Sequence, residues 1–143
     1  MFKTTQEVSV LGICLPDAAS GLESDGLNFA SVTSGRRAID MLRMLRFDLL
    51  LIGSKLPDIN VWEFVRRARV GWPWQKWCLV SEGLTEQQEI TARMMGVTKI
   101  FEVMPTSDEL NELTSRLRER AERAVLNGKY ENVFEPIKLR SAL

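Results

Sequence analysis

The chain has 143 residues, of which 45% are hydrophobic and 27% charged, as in a single globular domain. Its 19 Lys and Arg residues equal its 19 Asp and Glu residues, so no overall field favours nucleic acid or an anionic membrane. With no histidine and two cysteines, a histidine-based triad and a structural zinc site are excluded, and we expect a cytoplasmic protein without a membrane-spanning segment.

Strand and helix patterns alternate five times along the chain. The predicted strands are the apolar runs 7–13, 27–32, 48–52, 77–81 and 99–103. The first helical pattern, within 17–26, is short and weak, and the second is an apolar stripe of Ala38, Met41, Leu42 and Leu45. A third helix is predicted over 61–69 after the N-cap Asn60, and a fourth runs from the capping box of Thr85 and Gln88 to Met95. The last helix is long and runs from the cap Thr106 to residue 126.

The stretch 48–52 sets the fold class. Leu49 to Ile52 are four large aliphatic residues without polar alternation, which is typical of a strand buried on both faces of a parallel sheet. Parallel strands that alternate with helices predict an α/β fold with a doubly wound, five-stranded parallel sheet in the order 2-1-3-4-5. We expect one domain over 1–126 and a tail over 127–143, where no periodic pattern is present.

The order of these motifs resembles the receiver (CheY-like) domain of bacterial two-component response regulators over about residues 6–126. The strongest stretch is 48–67, in which an Asp-led strand is followed by Leu56-Pro57 and a helix that begins near an Asp. Supporting stretches are Thr33-Ser34-Gly35 with Ala38, Ala92 to Gly96, and Met104-Pro105 ahead of the last helix. The resemblance implies a flavodoxin/CheY-like fold and a function in signal transduction.

When the phosphorylation residues of that family are carried over one position at a time, most of them are missing. The phosphoacceptor Asp at the end of the third strand falls on Gly53, and the acidic pair that holds magnesium falls on Gly12 and Ile13. The lysine before the proline after strand five falls on Met104, and the hydroxyl at the end of strand four remains as Ser81. The resemblance therefore implies a degenerate pocket in a pseudo-receiver that is not an enzyme and uses no metal or other cofactor.

The resemblance also implies a face for partners. The segment from Gly96 to Pro105 is one residue longer than is usual in the family. The aromatic switch residue of the family therefore corresponds to Phe101 when counted back from Pro105, which we prefer, or to Ile100 when counted forward from Gly96. Receivers commonly dimerise through the helix before this strand, the strand itself and the last helix. Here that face collects Arg93, Met94 and Lys99 with Phe101. The alternative is a solvated face over a buried Met and Phe. We expect a protein partner, either a second copy or another regulatory protein, and neither nucleic acid nor membrane.

Two other functions stay open from the sequence. One is a receiver that is phosphorylated at Ser54 or Ser81. The other is a flavodoxin-like cofactor binder, with its ligand near Gly12, Gly53 and Ser81. A phosphate-binding turn after the first strand would be rich in Gly, Ser and Thr, but residues 15–16 of this turn are Leu-Pro. This composition disfavours the hypothesis of a cofactor binder.

Three tryptophans lie where a loop enters the fourth strand. Tryptophan is enriched at binding hot spots, yet large aromatic side chains are more often buried. We therefore expect Trp77 in the core and Trp72 and Trp74 packed over the lower edge of the sheet, and we expect Trp62 in the core as well. Cys14 is expected to be a structural thiol, because no neighbour in the sequence would lower its pKa.

Overall fold

The computed structural model describes residues 8–15 and 27–126, with side chains as far as residue 123. The strands are β1 (Val8–Ile13), β2 (Leu27–Val32), β3 (Leu49–Gly53), β4 (Trp77–Val80) and β5 (Lys99–Phe101). The helices are α1 (Gly35–Met44), α2 (Val61–Gly71), α3 (Glu86–Met94) and α4 (Ser107–Leu126). The helical pattern within 17–26 and the tail 127–143 lie outside the described residues. In the described ranges, no helix is both long enough and apolar enough to cross a membrane.

All five strands pair in parallel in one sheet, in the order β2-β1-β3-β4-β5. This confirms the predicted fold class and strand order. β3 lies in the middle of the sheet, and all of its residues are buried, as the unbroken aliphatic run predicted. The order reverses between β1 and β3, and in open α/β sheets ligands bind at the carboxyl ends of the strands beside such a reversal.

One hydrophobic core joins the sheet to α1, α2 and α3. The fully or nearly fully buried members are Leu11, Ile13, Leu50, Ile52 and Leu79 from the strands, with Ala38, Leu42, Phe64, Val65 and Ala92 from the helices. Trp62 is half-buried against this cluster, in agreement with its expected place. Of the apolar stripe predicted for α1, Ala38 and Leu42 are buried, whereas Leu45, the C-cap residue, is exposed, so the prediction for Leu45 is wrong.

Side-chain caps begin the helices where the sequence placed them. Asn60 accepts a hydrogen bond of 2.8 Å from a main-chain N–H in the first turn of α2. Thr85 and Gln88 each accept the other's main-chain N–H, at 3.1 and 2.9 Å. Thr106 and Glu109 do the same at 3.1 and 2.8 Å. Each cap satisfies main-chain N–H groups that have no partner within the helix. Because the capping residues lie within three positions of one another, the sequence predicted where these helices begin.

The chain divides into two compact units, residues 1–111 and 112–143. The first unit holds the sheet, α1, α2, α3 and the start of α4. In the second unit, α4 carries ion pairs one turn apart, Arg116 with Glu112 at 2.9 Å and Arg123 with Glu119 at 3.9 Å. All four side chains are exposed, as expected for a solvated helix face. The boundary at residue 126 stays a prediction.

The tryptophans near β4 do not share one environment. Trp77 is buried in β4 and Trp72 is half-buried against the core, as expected. Trp74 is 57% exposed, so the expectation that it packs over the sheet is wrong. The next residue, Gln75, is half-buried, and its side-chain amide donates hydrogen bonds of 3.0 Å to the carbonyl of Phe47 and 3.2 Å to the carbonyl of Lys76.

Candidate functional site at the carboxyl edge of the sheet

The carboxyl ends of β1, β3 and β4 meet at one edge of the sheet. The strand register places Gly53, the last residue of β3, beside Val80, and it places the preceding residue beside Ile13, the last residue of β1. The residues that follow these strands, among them Cys14 and Ser81, therefore lie at the same edge. This edge is where the sequence placed the degenerate pocket.

Gly53 is buried and has no room for a side chain. A Cβ atom on Gly53 would lie closer than 3.0 Å to the carbonyl oxygen of Cys14 and 3.4 Å from the carbonyl oxygen of Ile13. Both neighbours are main-chain atoms, which cannot turn aside as the end of a flexible side chain can. The loop after β1 therefore fills the space that a side chain at position 53 would need.

The backbone of Cys14 brings this loop against β3. Its φ is 54°, in the left-handed region that non-glycine residues seldom adopt. Its N–H donates a hydrogen bond of 2.9 Å to the carbonyl of Val32, which extends the pairing of β1 and β2 by one residue before the chain turns. That bond on one side and the packed strand on the other hold the carbonyl of Cys14 against Gly53.

Neither cysteine has the properties of an activated nucleophile. The Cys14 side chain is half-buried, and its pKa is raised first by that burial and second by the negative charge of Asp58. Burial within β4 raises the pKa of Cys78 to about 12. Both thiols are therefore protonated near neutral pH, and a protonated thiol is a poor nucleophile. The structure supports the interpretation of Cys14 as a structural thiol.

The remaining residues of the predicted pocket lie in different surroundings. Gly12 is buried in β1, and Ile13 is a fully buried core residue. Met104 is half-buried in the segment after β5. Ser81 is half-buried, and its main-chain N–H donates a hydrogen bond of 2.9 Å to the carbonyl of Phe101. None of these side chains is a carboxylate. In the described ranges, no three Cys, Asp or Glu side chains gather into a possible metal-binding group.

The nearby carboxylate of Asp58 serves a structural purpose. Its two oxygens accept hydrogen bonds from the main-chain N–H groups of Gly35, at 3.0 Å, and Arg36, at 2.9 Å. These bonds cap α1 and lower the pKa of Asp58 from its usual value. The sequence did not reveal this role, because Asp58 lies more than 20 positions from the start of the helix. Asp58 adds to the local N-cap Ser34, whose hydroxyl accepts the N–H of Arg37 at 3.1 Å. Asp48 lies at the opposite edge, as expected, where its carboxylate accepts the N–H of Ser9 at 2.8 Å.

Known proteins share the architecture of this chain at low sequence identity. No family model and no curated protein matches it. Its structure superposes on a CheY-like receiver domain of Methanospirillum hungatei with a TM-score of 0.68 at 18% identity, over 82% of this chain and 98% of that one. A chemotaxis response regulator of Vibrio cholerae gives 0.60 at 16% identity, over 80% and 98%. The fold is that of a CheY-like receiver domain.

A third neighbour is the receiver domain of a sensor histidine kinase from Pseudomonas aeruginosa, which has a magnesium ion coordinated in its active-site cleft. It gives a TM-score of 0.64 at 15% identity, over 77% of this chain and 96% of that one. These neighbours confirm the receiver fold that the order of motifs predicted. In the receiver fold of this chain, glycine closes the third strand and the main chain of the first loop lies against it.

We expect Gly53→Ala to destabilise the protein, because even one methyl group meets the main chain of Cys14. The free energy of unfolding should fall by about 1–3 kcal/mol, the usual range for overpacking a core position. Gly53→Asp should lose more, since it adds a buried carboxylate without a partner. Urea unfolding followed by circular dichroism measures both variants.

Gly71→Ala is the matched control for this substitution. A Cβ atom on Gly71, in the last turn of α2, would meet nothing within 4 Å. This variant should be neutral or gain up to about 1 kcal/mol, because alanine favours the helix over glycine. If Gly53→Ala is as stable as the unmodified protein, the claim that the loop fills the space at Gly53 is wrong.

A second substitution tests the cap on α1. The pKa of Asp58 is lowered in the folded protein, so its stabilisation is complete above the unfolded value of 3.8 and is lost as the pH falls through the folded value. Asp58→Asn should therefore lower the thermal midpoint at neutral pH, and the difference from the unmodified protein should shrink below about pH 4. A difference that stays constant down to about pH 3 would contradict a role for the charge.

Proposed function

We propose that this chain is a pseudo-receiver, a domain with the receiver fold that works without aspartyl phosphorylation as a protein-interaction module in bacterial signalling. The observation that supports this most directly is the main chain of Cys14 against Gly53. The resemblance assigns position 53 to the phosphoacceptor aspartate, and here the space for its side chain is taken by the protein's own backbone. Gly53 is therefore accompanied by a main chain that fills the space of the missing side chain, and the pocket around it is not simply a receiver pocket that lacks its aspartate.

The chemistry of the surrounding residues supports the same proposal. Phosphorylation of an aspartate needs a carboxylate nucleophile, a magnesium ion held by oxygen ligands and a cation on the phosphoryl oxygens. The positions that the resemblance assigns to the metal ligands are Gly12 and Ile13, and Met104 stands at the position of the lysine. These side chains supply neither oxygen ligands nor a positive charge, so they do not fit magnesium.

Loss of these charges also favours a single conformation. Carboxylates clustered without their ion repel one another, and each disfavours ionisation of the next. Here the equivalent volume holds the core residue Ile13 and the backbone of Cys14, which pack without a bound ion. A domain built in this way presents its surfaces in one form, so its function rests on contacts that are already in place.

This proposal predicts that phosphoryl analogues have no effect. Addition of magnesium with beryllofluoride, or with acetyl phosphate, should leave the ¹H–¹⁵N NMR spectrum unchanged, because no carboxylate stands at Gly53 to accept the group. A receiver that has its phosphoacceptor aspartate serves as the positive control in the same buffer. Specific shifts at Gly53 or Ser81 would contradict the proposal. A mass increase localised to Ser54 or Ser81 would favour the serine-phosphorylated alternative.

The face that we propose for a protein partner comprises α3 and β5. On α3, Ile90 and Met94 lie one turn apart and are 44% and 79% exposed. Arg93 lies beside them and pairs with a glutamate one turn earlier at 2.8 Å. On β5, the ammonium of Lys99 lies 5.1 Å from the centre of the Phe101 ring, which is buried. An apolar contact with a charged rim is the usual anatomy of a protein interface.

Charge reversal tests this face. Arg93→Glu combined with Lys99→Glu should weaken self-association, measured by sedimentation velocity over a range of concentrations, by at least about tenfold in Kd. The thermal midpoint should stay nearly unchanged, because exposed charges contribute little to stability. Arg37→Glu combined with Lys55→Glu changes the net charge by the same amount on other exposed positions and should have no effect. Self-association that is equal in both double variants would contradict this face.

A further inference from the structure

An open groove of mixed polar and apolar lining lies at the amino-terminal edge of the sheet, opposite the edge that holds Gly53. We call it the Trp74 groove, and its lining includes Arg43, Met44, Leu45, Arg46, Trp74 and Gln75. Met44, Leu45 and Trp74 are 81%, 54% and 57% exposed. Large apolar side chains that are exposed together, and not scattered singly, mark a contact surface.

The turn that carries Trp74 is fixed at both ends. The N–H of Trp72 donates a hydrogen bond of 2.7 Å to the carbonyl of Ala68, which ties the turn to the end of α2. The N–H of Gln75 donates to the carbonyl of Trp72 at 3.0 Å, and its side-chain amide donates to the carbonyl of Phe47 at 3.0 Å. Trp74 therefore projects from a rigid frame, and a partner does not have to order the loop when it binds.

Among the described residues, the charged side chains that line the groove are the two arginines Arg43 and Arg46, while Asp40 and Asp48 lie beside it. The guanidinium of Arg46 lies 5.6 Å from the centre of the Trp74 ring. Arg43 pairs with Asp40 at 3.7 Å, but both side chains are more than 60% exposed, so the pair holds Arg43 only weakly. The carboxylate of Asp48 adjoins the groove and is engaged by a main-chain N–H of β1 at 2.8 Å. Arg43, which is held only weakly, can therefore turn toward an anionic partner, and Arg46 already lies beside the Trp74 ring.

We propose that the Trp74 groove binds an acidic segment of a partner protein, in which a bulky apolar residue stands between carboxylates. The apolar residue contacts Trp74, Met44 and Leu45, and the carboxylates meet Arg43 and Arg46. Tryptophan, methionine and arginine are enriched in protein interfaces, and arginine binds carboxylates through paired hydrogen bonds. This site is independent of the chemistry at Gly53.

Single-stranded nucleic acid fits the groove less well. Aromatic stacking alone would suit a base, but such sites also carry a track of cations along the phosphate backbone. Within the part of the chain that the structure describes, only two cations, Arg43 and Arg46, line the groove, which is too few for such a track. A short acidic segment with one apolar anchor uses both features of the groove.

Binding of a peptide to the groove can be followed by the indole N–H signal of Trp74 in ¹H–¹⁵N NMR spectra. The chain has four tryptophans, and the signal that disappears in Trp74→Ala is that of Trp74. The probe is a pool of synthetic heptapeptides with Phe, Leu or Trp between Asp and Glu residues. A matched pool replaces every Asp and Glu with Lys. We expect the acidic pool to shift the Trp74 signal and to leave the signal of the buried Trp77 in place. The basic pool should shift neither.

Affinity is then measured by fluorescence anisotropy of the labelled acidic pool. Arg46→Glu should weaken binding by at least about tenfold, because it replaces attraction by repulsion at the groove. Arg37→Glu, an exposed change on α1 outside the groove, should stay within about twofold of the unmodified protein. Trp74→Ala should abolish binding with little change in the thermal midpoint, since the ring is largely exposed, while Val70→Ala is the matched exposed apolar control.

Three results would each overturn the proposal. The first is a Trp74 signal that does not move in a large excess of the acidic pool. The second is an equal or stronger response to the basic pool or to oligothymidylate, which would assign the groove to another class of partner. The third is a Trp74 signal that changes with protein concentration alone, which would assign the groove to a second copy of the chain.

Discussion

The approach of the Cys14 carbonyl to Gly53 decides what the carboxyl edge of this sheet can hold. β3 brings Gly53 to the edge, β1 ends beside it, and the carbonyl of Cys14, whose backbone is left-handed, lies against Gly53. Main-chain atoms cannot move aside without breaking the pairing of the strands. Packing alone therefore excludes any chemistry that needs a side chain at position 53, before metal ligands or acids are considered.

The two edges of the sheet differ in what they expose. At the carboxyl edge, the loop after β1 covers Gly53, and Asp58 uses its carboxylate to cap α1. At the amino-terminal edge, a fixed turn holds Trp74 in solvent beside Arg46. We propose the Trp74 groove and the face on α3 and β5 as the two surfaces through which the protein contacts its partners.

Much of the fold followed from local signals in the sequence. The four aliphatic residues of 49–52 predicted a central strand, and side-chain caps such as Thr85 with Gln88 predicted the starts of helices. Such signals are legible because the interacting groups lie within a few residues of one another, so their spacing fixes the geometry. The sequence alone also determined that Gly12, Ile13, Gly53 and Met104 carry no acid or amine.

The tertiary structure decided the contacts between distant residues. Nothing near Gly53 in the sequence indicates that the carbonyl of Cys14 lies against it, and Asp58 reaches the start of α1 from more than 20 positions away. The folded chain also decided that Trp74 is 57% exposed, while its neighbour Gln75 is half-buried with its amide on the carbonyl of Phe47. The sequence determined which side chains and main-chain groups were present. Only the folded chain determined which of them lies at each buried position, because in a close-packed interior one group excludes all others from the same volume.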